Sequence, residues 1–211
     1  MSDWPAGGEI DILEGVNVQR RNHYAFHTTD NCTISGQSQT GIPETWNCFA
    51  SAPGQFNNQG CGGWSATSQS YGDGMNSIGG GVYAMDWRKE GIRIWFFPHS
   101  AIPADIRNGN PTTAGWGKVY LIPSPANPSR WPICLARVAT SPNISLIIRL
   151  SLTSRIRALC LADRRFCGDW AGALYPNSGC PGKCTDKVAW DPQSFKSSYF
   201  GVKSLRVYKS S

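Results

Sequence analysis

With 211 residues the chain is long enough for one domain with a sizeable core. Its 23 glycines, 14 prolines and 9 tryptophans, against only 16% charged residues, point away from long helices and towards short strands joined by turns. The net charge of +6 does not outline a nucleic-acid groove: residues 130–165 hold seven arginines against Asp163 alone, and the rest of the chain balances, thirteen basic to thirteen acidic.

The chain starts with Met1 and polar Ser2-Asp3, which leaves no room for an apolar signal segment. No run approaches the roughly 18 apolar residues that span a bilayer. Eight cysteines nevertheless suit an oxidising compartment, and Asn31-Cys32-Thr33 is an N-glycosylation acceptor pattern. A chain built for export without the means of export is expected to lack its natural start.

Gly8-Glu9-Ile10-Asp11-Ile12-Leu13-Glu14-Gly15 alternates acid and apolar residue, then slips by one before the last glutamate. In a regular strand Glu9 and Asp11 share a face, whereas Glu14 points the other way. A one-residue bulge near Ile12-Leu13 returns Glu14 to that face, with Ile10 and one of Ile12 or Leu13 packed behind. Two glutamates leaning together over the shorter Asp11 would bring their carboxyls to about 5 to 5.5 Å, the separation of a retaining glycosidase. Asp11 would tune both, because neighbouring carboxylates push one another's pKa upward. The bland alternative is a solvated acidic edge or a cation site. It is weaker, since acids are depleted in strands and three on one face repel unless a function offsets the cost. No metal or cofactor is expected.

Trp4, just before this strand, is a candidate stacking platform for a sugar ring, weighed against a core role. Trp87 and Trp95 alternate with apolar neighbours and read as core, while His23 and His99 read as surface residues. Cys180-x-x-x-Cys184 has no second Cys or His pair at zinc-finger spacing, so disulfides are preferred to metal. Their connectivity is not fixed by sequence.

Taken together, several motifs resemble the fungal secreted members of glycoside hydrolase family 16, the endo-1,3(4)-β-glucanases or laminarinases. They are residues 4–17 (Trp-Pro-Ala-Gly-Gly-Glu-Ile-Asp-Ile-Leu-Glu-Gly-Val-Asn), His27-Thr28-Thr29-Asp30-Asn31-Cys32-Thr33, Gly79–Ala84 and Gly91–Pro98. Further on come Cys167-Gly168-Asp169-Trp170-Ala171-Gly172, Gly179–Cys184 and a closing strand, Val202–Tyr208. The resemblance implies an all-β, concanavalin A-like jelly-roll sandwich whose concave face binds β-glucan, and a retaining endo-acting hydrolase. Glu9 would be the nucleophile, Glu14 the general acid/base and Asp11 the assisting residue between them. It also implies substrate contacts at His27 and Trp170 besides Trp4, a monomer with no nucleic-acid or membrane partner, and an extracellular or cell-wall location. Residues 1–211 are expected to form a single, partial catalytic domain. The alternative reading is a glucan-binding or inactive truncated relative.

Two departures qualify the resemblance. Similar enzymes run through several strands before the catalytic one, so about a third of the sandwich is expected to be missing, with unpaired edges as the consequence. Residues 121–166 replace the family's Cys-Asp-Ile and His-Phe segment with an arginine-rich stretch, read here as a shifted frame with Arg155 to Arg165 as retained intron. Cys134 and Cys160 are therefore assigned no bridge.

Overall fold

The computed structural model describes residues 4–34, 39–88, 91–118, 167–168, 170–196 and 199–208. The irregularity expected at 121–166 and the two cysteines within it lie outside the described residues. The chain divides into two compact units, Met1–Leu150 and Ser151–Ser211.

Two antiparallel sheets build the first unit. β1 (Glu9–Glu14), β2 (His23–His27), β3 (Ile42–Thr45) and β4 (Cys61–Trp64) form a four-stranded sheet in the order β1-β2-β4-β3. β5 (Gly81–Arg88) and β6 (Gly91–Pro98) pair along their full length, from Gly81 opposite Pro98 to Arg88 opposite Gly91. Period-2 alternation decides what lies between the sheets. Ile12, Tyr24, Phe26 and Cys61 from the larger sheet pack with Ile92 and Ile94 of β6, and Ile10, Tyr83, Met85 and Trp87 close the edges of that core. Trp95 is also buried and meets Trp116 edge-on, with ring centroids 5.1 Å apart. Of the two tryptophans read as core from the sequence, Trp95 is buried and Trp87 is half-buried against the edge of the core.

β1 carries the expected bulge. Glu9, Ile10 and Asp11 pair with His27, Phe26 and Ala25, and the register then shifts so that Glu14 faces His23, leaving Ile12 and Leu13 opposite Tyr24 alone. A bulge strips backbone groups of their ladder partners, and buried ones must find others. Here the fully buried side chain of Asn22 supplies them: its amide nitrogen donates to the Ile12 carbonyl (2.8 Å) and its amide oxygen accepts from the Glu14 N–H (3.0 Å). The Asn22 N–H in turn donates to Ser70 Oγ at 3.0 Å, and Gln19 Nε2 donates to the Glu14 carbonyl at 3.0 Å. A Cys48–Cys61 disulfide fastens the following loop to the start of β4. Closing a loop of this size restricts the unfolded chain by about 3 kcal/mol. Cys32 is disulfide-bonded as well.

In the second unit a Cys167–Cys184 disulfide joins the segment before a short helix, Ala171–Leu174, to the first residue of another, Cys184–Trp190. Tyr175 is buried there and donates its hydroxyl proton to the Pro181 carbonyl. The expected closing strand over Val202–Tyr208 is not formed: residues 199–208 have no regular structure, and Val202, Leu205, Val207 and Tyr208 are exposed. A strand exists through its pairing, and the described residues of this unit include no other strand to pair with.

Asn22→Ala leaves the Ile12 carbonyl and the Glu14 N–H without their partners. We expect it to lower unfolding free energy by about 2–3 kcal/mol, measured by urea denaturation, with the exposed His99→Ala as an unaffected control.

Candidate active site

Cross-strand neighbours share a face, so the register of the four-stranded sheet assembles the site. Glu9 sits beside His27, and Asp11 beside Ala25, which neighbours Gly62 of β4. Glu14 sits beside His23, which neighbours Trp64. Three acids, two histidines and an indole therefore occupy one face, while Tyr24 and Phe26 point the other way into the core.

Each acid has its own partner. The Trp4 indole N–H donates to Glu9 Oε2 at 2.6 Å, and the Trp4 ring, 47% exposed, lies 6.1 Å from the His27 ring at a tilt. Asp11 is 5% exposed, with His27 Nε2 3.1 Å from its Oδ2. Burial pushes the Asp11 carboxyl up to about 6, against the opposing pull of His27, and the charges of Glu14 and Glu9 add to the rise. His27 is itself raised: burial disfavours its charged form, but Asp11, helped by Glu9 and Glu14, outweighs that. The pair thus holds a proton to higher pH than an isolated carboxylate would. Space for the His27 ring depends on Gly60, which has φ +63°; a Cβ there would strike the Phe26 carbonyl oxygen and lie 2.8 Å from His27 Nδ1.

His23 is not the surface residue that the sequence reading made it. It is 6% exposed and lies between two carboxylates, with Nδ1 3.5 Å from Glu14 Oε2 and Nε2 3.0 Å from Glu44 Oε2. Its ring packs against Trp64 with centroids 4.7 Å apart, and the Trp64 side chain also hydrogen-bonds Glu44. Burial opposes charge on His23, yet Glu14 and Glu44 together overcome it and push the imidazole up to about 9. Glu44 is held below the usual glutamate range, chiefly by its hydrogen bond from His23. Tyr71, half-buried near Glu14, is raised by burial and by that acid's charge. His99 is exposed, as expected.

The structure brings Trp4, Glu9, Asp11, Glu14 and His27 together, and adds His23, Glu44, Asn22 and Trp64, which sequence reasoning passed over. One signal for His23 was present: in His23-Tyr24-Ala25-Phe26-His27 the two histidines alternate with aromatics, so both must lie on the face away from the core. Trp170 belongs to the second unit, immediately before the helix Ala171–Leu174. Among the described residues no group of three or more His, Cys, Asp or Glu is arranged to hold a metal ion, and no helix is long and apolar enough to cross a membrane.

Glycoside cleavage uses a pair of carboxyl groups, and Glu9 and Glu14 share one face on either side of the buried Asp11. The chain belongs to glycoside hydrolase family 16: a family model described as "XgeA-like, catalytic GH16 domain" matches residues 1–208. A Schizosaccharomyces pombe protein named "Probable glycosidase" is 40% identical over 210 residues, covering 98% of this chain and 45% of that protein. An endo-1,3(4)-β-glucanase of Arthroderma benhamiae is 34% identical over 214 residues, covering 99% of this chain and 42% of its own. The chain thus spans less than half the length of these curated relatives. Among solved structures, laminarinase 16A of Phanerochaete chrysosporium, with β-glucans in donor and acceptor sites, superposes with a TM-score of 0.71 at 32% identity, covering 93% of this chain and 60% of that one. An elongating family 16 β-1,3-glucosyltransferase gives 0.69 at 33%, covering 94% and 61%. These likenesses bear out the expected family and the all-β jelly-roll class.

The His23 charge pair has a consequence for stability. Its pKa is raised from 6.5 to about 9 in the folded state, so the stability it contributes is fully present below pH 6.5 and is lost as pH rises through about 9. Urea midpoints measured across that window should fall in the wild type and fall less steeply in His23→Gln.

Proposed function

We propose that this chain is the catalytic region of a retaining endo-β-1,3(4)-glucan hydrolase. The observation that carries the reading is the shared face of Glu9, Asp11 and Glu14, made possible by the bulge at Ile12-Leu13. In the first step a Glu9 carboxylate oxygen attacks the anomeric carbon, and the bond to the leaving sugar's oxygen breaks as that oxygen takes the proton of Glu14. In the second, Glu14 removes a proton from water, the water oxygen bonds to the anomeric carbon, and the ester to Glu9 is released. A sugar hydroxyl in place of that water would give transglycosylation.

The Trp4 N–H bond to Glu9 Oε2 fixes the attacking carboxylate and leaves the other oxygen for the sugar, while the exposed indole face offers a stacking surface. Asp11, sharing a proton with His27 beneath the two glutamates, assists by limiting the negative charge that Glu9 and Glu14 would otherwise face. His27 and, in the second unit, Trp170 are the other substrate contacts we propose. We read residues 1–211 as one catalytic domain, in line with the span of the family match. The Cys48–Cys61 and Cys167–Cys184 disulfides and the bonded Cys32 support an oxidising, extracellular setting, and we propose that the protein acts at the cell wall as a monomer with β-glucan as its partner.

Reducing-sugar release from laminarin and lichenan tests this reading. Glu9→Gln and Glu14→Gln should each lose on the order of a thousandfold in kcat/KM, whereas Trp4→Phe should keep measurable activity at about a tenth of wild type or less. A wild-type chain that binds laminarin without releasing sugar would support a glucan-binding protein instead. Unchanged activity in Glu9→Gln would refute the catalytic assignment.

A further inference from the structure

The row that ends at Glu14 contains charged groups the two-step chemistry does not use. His23 lies between acids delivered by two different strands, and each acid arrives by way of a bulge: Glu14 follows the shift after Asp11 in β1, and Glu44 is the extra residue where β3 shifts between Pro43 and Thr45. Two independent departures from regular pairing thus point carboxylates at one imidazole. The ring cannot turn freely, since Trp64 packs on it and also hydrogen-bonds Glu44. A Cβ at Gly62 would come within 3.2 Å of His23 Cε1, so the absence of a side chain there gives the ring its room.

We propose that His23 is a positioning residue for Glu14, and that Glu44 acts through His23 to balance its charge, so that Glu14 is held in place yet still able to carry a proton. This rests on the reading of Glu14 as the acid/base. Carboxylates 3.5 Å from one ring nitrogen and 3.0 Å from the other favour the form that carries a proton on both. The backbone of Glu14 is held by Asn22 and Gln19, and the cation beside its Oε2 restrains the side chain beyond that. A lone cation would also hold Glu14 as the carboxylate and oppose the first step, in which that group gives up a proton. Glu44, ionised at 3.0 Å from the other nitrogen, offsets that charge. The remaining titratable groups around Glu14 are the proton-sharing pair of Asp11 and His27, the Glu9 carboxyl and the Tyr71 phenol. Burial and the charge of Glu14 keep that phenol protonated. Within this set His23 is the imidazole with a nitrogen 3.5 Å from Glu14 Oε2, and Glu44 is what moderates it.

The test pairs an NMR titration of the full chain, following histidine ring ¹⁵N signals, with the pH dependence of kcat/KM in the wild type, His23→Gln and Glu44→Gln. In the wild type both ring nitrogens of His23 should carry protons at neutral pH. On laminarin, the alkaline limb of kcat/KM should move up by about one pH unit in His23→Gln and down by a similar amount in Glu44→Gln. A neutral His23 ring at neutral pH in the wild type, which needs no variant to fold, would overturn the proposal. So would an alkaline limb of kcat/KM that stays put, or moves the same way, in both variants. Failure of the hydrolase reading shows separately, as undiminished laminarin activity in Glu14→Gln.

Discussion

Everything at the candidate site depends on one backbone irregularity and the side chain that satisfies it. A regular strand from Glu9 would place Glu14 in the core, where an ionised carboxylate is strongly disfavoured, and would put an apolar residue on the face that carries the acids. The bulge reverses this by a single residue, but only because Asn22 bonds both the Ile12 carbonyl and the Glu14 N–H in a fully buried position. The Ser70 hydroxyl holds the Asn22 backbone in turn. The aim of the second glutamate is therefore set from behind the sheet, by residues that never meet substrate.

The face built on that bulge manages its charge in pairs. Three acids crowd one strand, and each is answered by a different group: an indole N–H for Glu9, an imidazole for Asp11 and a second imidazole for Glu14. The answers differ in kind because the tasks differ. A neutral donor holds Glu9 without adding a charge beside it, which suits the nucleophile proposed for that position. A histidine that shares a proton with buried Asp11 lowers the repulsion between the flanking glutamates. The imidazole beside Glu14 is itself tied to Glu44, which under the proposed mechanism orients the acid/base without leaving an unbalanced cation next to it.

Much of this was legible in the sequence, for identifiable reasons. The acid-apolar alternation of residues 9–14 and its slip are local, and period-2 geometry turns them directly into a face and a bulge. Trp87 and Trp95 were readable as core because they sit among apolar alternants. His23 was missed because its burial depends on Glu44, more than twenty residues away and across an intervening strand, and no local pattern announces that meeting. Asn22 reads as an ordinary loop polar residue until the bulge it repairs is known. The closing segment 202–208 alternates like a strand, but a strand needs a neighbour, and alternation alone does not provide one.

The central claim is that this bulged strand presents Glu9 as a nucleophile. It is tested most directly with a 2-deoxy-2-fluoro β-1,3-glucosyl oligosaccharide bearing an activated leaving group, whose slowed second step lets the ester accumulate, followed by peptide mass spectrometry. The account predicts a single fluorosugar adduct on Glu9 that is absent in Glu9→Gln. An adduct on another residue, or turnover with inversion at the anomeric carbon and no adduct, would contradict it.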